Sequence, residues 1–312
     1  GGTSTGAADS TGTPVGDTST GSSTGNGSTG PSCGAASGTC DTLDILFVVD
    51  NSGSMSDEFS VLIPAISNIN ALLGPIVADL CSYHIGVTTT EPAPDFQPKA
   101  CQVRGALSRS GALAGKNGCF PNDPDHPAFL TEEDPPAVLG CLMTVGQNND
   151  DDEKQLDTVF AALGPELAEP GACNEGFLRE GVPLLIVILT DEDDDVDSKT
   201  EDASRTGSAE GPSAWYDALT AIKPASELGV VIVAAETKNG DCDPWVFLGG
   251  SSDGEGAEDA TRLRTMLAYF TGSGYDDHTA KIDICGSVEA LQEGFLQFSL
   301  VLDAVCADAD GP

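Results

Sequence analysis

Two apolar stretches, each running into an aspartate, constrain this chain more than anything else in it. The first reads Leu43-Asp-Ile-Leu-Phe-Val-Val-Asp50 and the second Val182-Pro-Leu-Leu-Ile-Val-Ile-Leu-Thr-Asp191. Short runs of β-branched and large apolar residues without polar alternation suit strands covered on both faces, as in a parallel sheet. In open sheets of that kind, ligands bind beyond the carboxyl ends of the strands. The first run ends in oxygen donors: Asp50, Ser52 and Ser54 alternate with other residues, and the chain turns there through Gly53. Carboxylate and hydroxyl oxygens suit a hard divalent cation, Mg²⁺, Ca²⁺ or Mn²⁺, much better than zinc.

The Asp-x-Ser-x-Ser spacing at Asp50, Ser52 and Ser54, followed much later by the Thr190-Asp191 strand end, resembles the von Willebrand factor A (vWA) family. The resemblance spans roughly Asp41 to Cys306, where strand and helix patterns alternate. It implies an α/β fold, a doubly wound and mostly parallel sheet flanked by helices on both faces, carrying a metal-ion-dependent adhesion site. By analogy, Ser52 and Ser54 bind the cation directly, while Asp50 and Asp191 bind it directly or through water. The family also places a threonine on an intervening loop, and here the chain departs from the pattern. The corresponding loop runs from Leu142 to Glu153, with Gln147 or Asn148 at the aligned position and Thr144 slightly early. Asp150, Asp151 and Asp152 add carboxylates that could substitute, and a carboxylate-rich shell favours Ca²⁺.

The acids from Asp191 to Asp197, Asp193 among them, alternate as in a calcium loop. An EF-hand needs glycine at its sixth position, where this chain has Val196 counting from Asp191, or Ser198 counting from Asp193. An EF-hand is therefore not expected. A second, irregular calcium site including Asp193 and a loop of simply hydrated acids are both compatible with the pattern.

Charge excludes several classes of partner. With 13 Lys plus Arg against 50 Asp plus Glu the formal charge is −37, and no Lys or Arg precedes Lys99. Nucleic acid is excluded because its binding depends on neutralising phosphates, and an anionic membrane surface is disfavoured for the same reason. The longest apolar runs are too short to span a bilayer, so no transmembrane segment is expected. His84, His126 and His278 are scattered, and neither a Gly-x-Ser-x-Gly elbow nor a phosphate-binding loop occurs. A haloacid-dehalogenase-type site would need an aspartate where Ser52 stands. No enzyme activity is expected.

Ten cysteines, none in Cys-x-x-Cys spacing, point to an oxidising compartment and up to five structural disulfides. Cys33 and Cys40 enclose a short Gly/Ala/Ser loop and are close enough in sequence that they could pair as a local clasp, while the other pairings are not fixed by the sequence. Residues 1–32 are Gly, Ser, Thr and Ala with Val15 as the lone branched aliphatic, a composition expected to form a flexible tether of roughly 30 Å root-mean-square span. That tether resembles the spacer after the lipid-modified cysteine of bacterial surface lipoproteins, which implies a lipid anchor upstream of Gly1. A linker between domains and a glycosylated stalk fit the same composition.

Residues 33–312 are expected to form the vWA-like domain, with a Cys/Pro-rich insertion at about 91–141. Predicted elements include a helix with apolar residues from Val61 to Leu73, a strand Ser82 to Thr88, a short strand near Ala106 and Leu107, and helices across Trp215 to Ile222 and Ala260 to Phe270. A last strand at Lys281 to Cys285 and a closing helix from Ser287 to Val305, capped by Ser287, complete the pattern. The expectation is an extracellular or cell-surface module, periplasmic or outer-membrane if bacterial, that binds a protein or glycan through a divalent cation. The alternative is a calcium-stabilised structural module of an envelope or matrix assembly without an exchangeable ligand.

Overall fold

The computed structural model describes residues 1–2, 40–53, 55, 80–92, 98–111, 118–120, 125–135, 137–145, 154–194, 207–235, 259–285 and 287–309. Residues 3–32 of the expected tether, the helix from Val61 to Leu73, Ser54 and Gln147 lie outside the described residues. Contacts divide the chain into Gly1–Ser32 and Cys33–Pro312.

Six strands form one sheet in the second unit: β1 (Thr42–Val49), β2 (Ser82–Thr89), β3 (Phe129–Leu130), β4 (Leu184–Leu189), β5 (Leu228–Ala234) and β6 (Thr279–Asp283). Their order is β3-β2-β1-β4-β5-β6. Every pairing is parallel except the short β2–β3 ladder. The described helices are α1 (Ala137–Met143), α2 (Gln155–Leu163), α3 (Pro165–Ala168), α4 (Pro212–Ile222), α5 (Thr261–Gly272) and α6 (Val288–Ala309).

The period-two geometry of a strand sends alternate side chains to opposite faces, and the apolar runs supply both sets. Ile45, Phe47 and Val49 of β1 join Leu185, Val187 and Leu189 of β4 and the α6 residues Leu291, Phe295, Phe298 and Val301 in one cluster. Leu46 and Val48 join Leu184, Ile186 and Ile188 in a second, together with Leu156 and Val159 of α2, Trp215 of α4 and Phe270 of α5. Each fully buried large apolar side chain contributes about 1.5–3 kcal/mol through burial. Among the described residues α6 is the one helix long and apolar enough to cross a membrane by length and composition. Its apolar stripe is engaged in the first cluster instead.

The expected strand at Ala106 and Leu107 is replaced by β3, which pairs Leu130 with Ile85 and Phe129 with Gly86. Gly105, at a φ of +80°, turns the chain so closely against α2 that a Cβ there would lie 2.5 Å from the Ala162 amide nitrogen. The Leu107 amide is then taken by the Asn174 side chain at 2.8 Å rather than by a strand. Strand β6 begins two residues before the expected start. Ser287 does act as a cap, accepting from the Ala290 amide at 3.3 Å.

The local clasp that Cys33 and Cys40 could form is ruled out, because Cys40 is bonded to Cys306. The entry to β1 and the end of α6 lie together in space, and the disulfide closes 266 residues of sequence separation. Cys101–Cys173 ties the insertion to the chain beyond it, and Cys119–Cys141 closes a loop within the insertion. Cys81 and Cys285 are also disulfide-bonded, and no described cysteine is free.

At the amino end of β1, Asp44 is fully buried. Arg179 encloses it: Nε donates to Oδ1 at 2.7 Å, the Arg179 amide to Oδ2 at 2.8 Å, and the other guanidinium nitrogens reach Ser82 Oγ and the Leu43 carbonyl. Beside it, His84 Nδ1 lies 2.8 Å from the Phe177 carbonyl, which accepts its proton. Burial pushes the Asp44 carboxyl up and the His84 imidazole down, the latter favouring a neutral ring.

Candidate metal centre at the rim of the sheet

The carboxyl ends of β1 and β4 are adjacent because Val49 pairs with Leu189 in the parallel ladder. The ladder carries on for one more bond, from the Asp50 amide to the Leu189 carbonyl at 2.8 Å. The two sequence motifs, separated by about 140 residues, are thereby brought side by side: Thr190 Oγ1 donates to Asp50 Oδ2 at 2.6 Å. The other oxygen, Oδ1, accepts from the Ser52 amide at 2.9 Å, which folds the Asp-x-Ser turn back over the strand end. Asp50, Ser52, Thr190 and Asp191 are all buried.

Asn51 latches this turn to the neighbouring strand. Its Oδ1 accepts from the Glu91 amide at 3.1 Å and the Thr90 hydroxyl at 3.3 Å, so the end of β2 belongs to the same rim. Glu91 is itself paired with Arg104 at 2.7 Å. Carboxylate and hydroxyl groups from two strand ends thus converge at one edge, the donor chemistry that a hard cation selects.

Two of the acids that follow Asp191 hydrogen-bond to helix N-termini. Both oxygens of Asp193 face the first turn of α5, accepting from the Arg262 amide at 2.7 Å and the Leu263 amide at 3.1 Å, and Oδ1 also accepts from the Asp194 amide at 3.0 Å. The N-cap position of helix α5 is Ala260, which has no capping oxygen of its own, so Asp193 satisfies orphan N–H groups from a distant loop. Asp194 does the same for α2: its Oδ2 accepts from the Leu156 amide at 2.8 Å and from Ser208 Oγ at 2.7 Å. Burial pushes the Asp194 carboxyl up to about 6 against those hydrogen bonds. Arg262 reaches the Asp194 carbonyl and lies 4.6 Å over the Trp215 ring. The carboxylate of Asp193, counted from sequence among the cation donors, is placed as a helix cap.

Thr144 closes the last turn of α1, its hydroxyl donating to the Cys141 carbonyl at 2.7 Å. A further residue, not singled out in the sequence, stands at the rim. Gln155, the first residue of α2, is fully buried, and its Nε2 donates to Thr190 Oγ1 at 2.9 Å. Its Oε1 is buried without a hydrogen-bond partner among the described residues. An orphaned buried carbonyl oxygen, on an amide linked to Asp50 through the Thr190 hydroxyl, fits an ordered water or a cation. The only sequence signal for it is a polar residue opening an apolar helical stripe.

No family model matches the chain, and no curated protein matches it. Some solved structures are similar. Proximal thread matrix protein 1 from the mussel byssus aligns with a TM-score of 0.41 at 12% identity, covering 86% of this chain and 49% of that one. The pilus adhesin SpaC from Lactobacillus rhamnosus GG, in its open conformation, aligns with a TM-score of 0.41 at 12% identity, covering 83% of this chain and 30% of that one. The chain therefore spans about half the length of the first and under a third of the second. Similarity at this level says nothing of what this chain binds.

Proposed function

We propose that residues 33–312 form a vWA-like, doubly wound domain that holds a divalent cation at the carboxyl ends of β1 and β4 and uses it to bind an acidic group on a protein or glycan outside the cell. The observation that carries this reading is the hydrogen bond from Thr190 Oγ1 to Asp50 Oδ2, which joins the Asp-x-Ser-x-Ser turn to the Thr-Asp strand end. Asp50, Ser52, Ser54 and Asp191 are the proposed donors. A bound cation with an open coordination position would supply one strong, directional bond to a carboxylate. The residues of the chain contribute position: the Ser52 amide and Thr190 hydroxyl hold Asp50 in one orientation, and Asn51 fixes the turn against β2.

The disulfides support an oxidising, extracellular setting. A surface of charge −37 repels anionic ligands, so the cation also offsets that repulsion where it matters. The test is titration calorimetry with Mg²⁺, Ca²⁺ and Mn²⁺ on the wild type and on Asp50→Ala. Heat is expected for at least one cation and is lost in the variant. Negligible wild-type heats for all three cations would reject the reading. Capture on a panel of carboxylate-bearing glycans and proteins, in Mn²⁺ and in chelator, tests the adhesive half. Cation binding without any cation-dependent capture would leave the structural-module alternative standing.

A further inference from the structure

We propose that the side-chain carbonyl of Gln155 is an outer-sphere acceptor of the rim site, taking a hydrogen bond from water bound to the cation. This rests on the cation reading above and adds to it a residue that neither strand-end motif contains.

The orientation of the amide follows from the protons available. Thr190 Oγ1 has one proton, and its closest acceptor is the Asp50 carboxylate at 2.6 Å, with the Glu192 carbonyl farther away at 3.0 Å. With that proton engaged, Thr190 can only accept from Gln155, so the NH₂ group must face Thr190 and the carbonyl oxygen must point the other way. A flipped amide would set two acceptors against each other. The result is a fully buried Oε1 with no partner among the described residues.

Leaving such an oxygen unsatisfied is costly, and a native structure generally answers it with an ordered water or ion. Gln155 is linked to Asp50 through a single hydroxyl, so its amide lies in the second layer around the proposed donors. Its fixed position, at the start of a helix whose next residue is capped by Asp194, gives it the rigidity an outer-shell acceptor needs. A neutral carbonyl there accepts from a cation-bound water without adding negative charge to an already acidic rim.

The test uses Mn²⁺ as the probe, with calorimetry and thermal melts on the full chain. Gln155→Met keeps length and apolar bulk but removes the oxygen, and its Kd for Mn²⁺ should weaken by about 10–100-fold. In chelator its melting temperature should stay near that of the wild type, since the lost bond to Thr190 is offset by removal of the orphan. Gln155→Glu retains an oxygen and adds charge, so it should bind Mn²⁺ more tightly than the wild type while melting lower in chelator. An unchanged Kd in Gln155→Met, with the melting temperature lowered equally with and without Mn²⁺, would show a purely structural glutamine and overturn the proposal. Weakened binding in Gln155→Glu would overturn it too, even if the Met variant fails to fold. Wild-type protein that binds no cation at all marks failure of the underlying site, an outcome distinct from both.

Discussion

Strand β1 carries a buried aspartate at each end, and the two are handled in opposite ways. Asp44 at the amino end meets a charge: the guanidinium and amide of Arg179 surround it, and Lys223, itself buried, donates to the Arg179 carbonyl. Asp50 at the carboxyl end meets dipoles in the hydrogen bonds described, the Ser52 amide and the Thr190 hydroxyl. A carboxylate paired with arginine has its counter-ion built in. The hydrogen bonds described at the carboxyl end orient Asp50 through neutral donors, so the same side chain serves as a fastening at one end and as the proposed ligand at the other.

Breaking the fastening should have the largest effect. Arg179→Met leaves Asp44 buried without its cation and should cost about 3–5 kcal/mol in urea unfolding. Adding Asp44→Asn should recover part of that loss, and no recovery would mean that Arg179 acts through packing alone. Asp194 supplies the next test, because it is a buried carboxylate held at helix α2 without a bonded arginine side chain in the described contacts. Its folded value of about 6 lies above the ordinary 3.8, so the stability it contributes is fully present below pH 3.8 and lost as pH rises through about 6. The wild type should therefore lose up to about 3 kcal/mol across that window relative to Asp194→Asn. Parallel pH profiles for the two proteins would contradict this assignment.

The carboxyl end should respond to cation where the amino end does not. At a cation concentration a hundred times Kd, the wild type should gain about 2.7 kcal/mol of stability. Asp50→Ala should gain nothing, while Asp44→Asn should keep the full increment in thermal melts. If Asp44→Asn also loses it, the two ends of β1 are coupled and the contrast fails. The smallest effect belongs to Asp193→Ala, which removes a cap from α5 and should cost about 1 kcal/mol with cation affinity unchanged. A weakened Kd in that variant would return Asp193 to the cation's donors.

Much of this layout is written locally in the chain. The buried strands β1 and β4 are legible because runs such as Leu184–Leu189 have no polar face, and Asp50 and Thr190-Asp191 mark where they stop. What escapes the sequence depends on partners far along it. Asp193 and Asp194 look like a cation loop because nothing near them shows the helix N-termini, starting at residues 261 and 155, that they cap. Cys40 has a plausible neighbour in Cys33, and only the return of α6 to the start of β1 reveals Cys306. Strand β3 consists of two residues within a Gly- and Pro-rich insertion, too short for any periodicity to register. Arg179 and Gln155 are ordinary surface-type residues by composition, and their roles exist only once the sheet has formed.

The Cys40–Cys306 bond also determines how the domain bears tension. A pull entering from the residues before Cys40 is divided at once between the first strand and the last helix, so β1 cannot be peeled from the sheet edge-first. A stretch applied from outside both cysteines travels through sulfur and bypasses the sheet. Under reducing conditions the chain between the two cysteines, a sequence separation of 266, becomes extensible, about 900 Å of hidden contour length that force spectroscopy would see released only after the bond is cut.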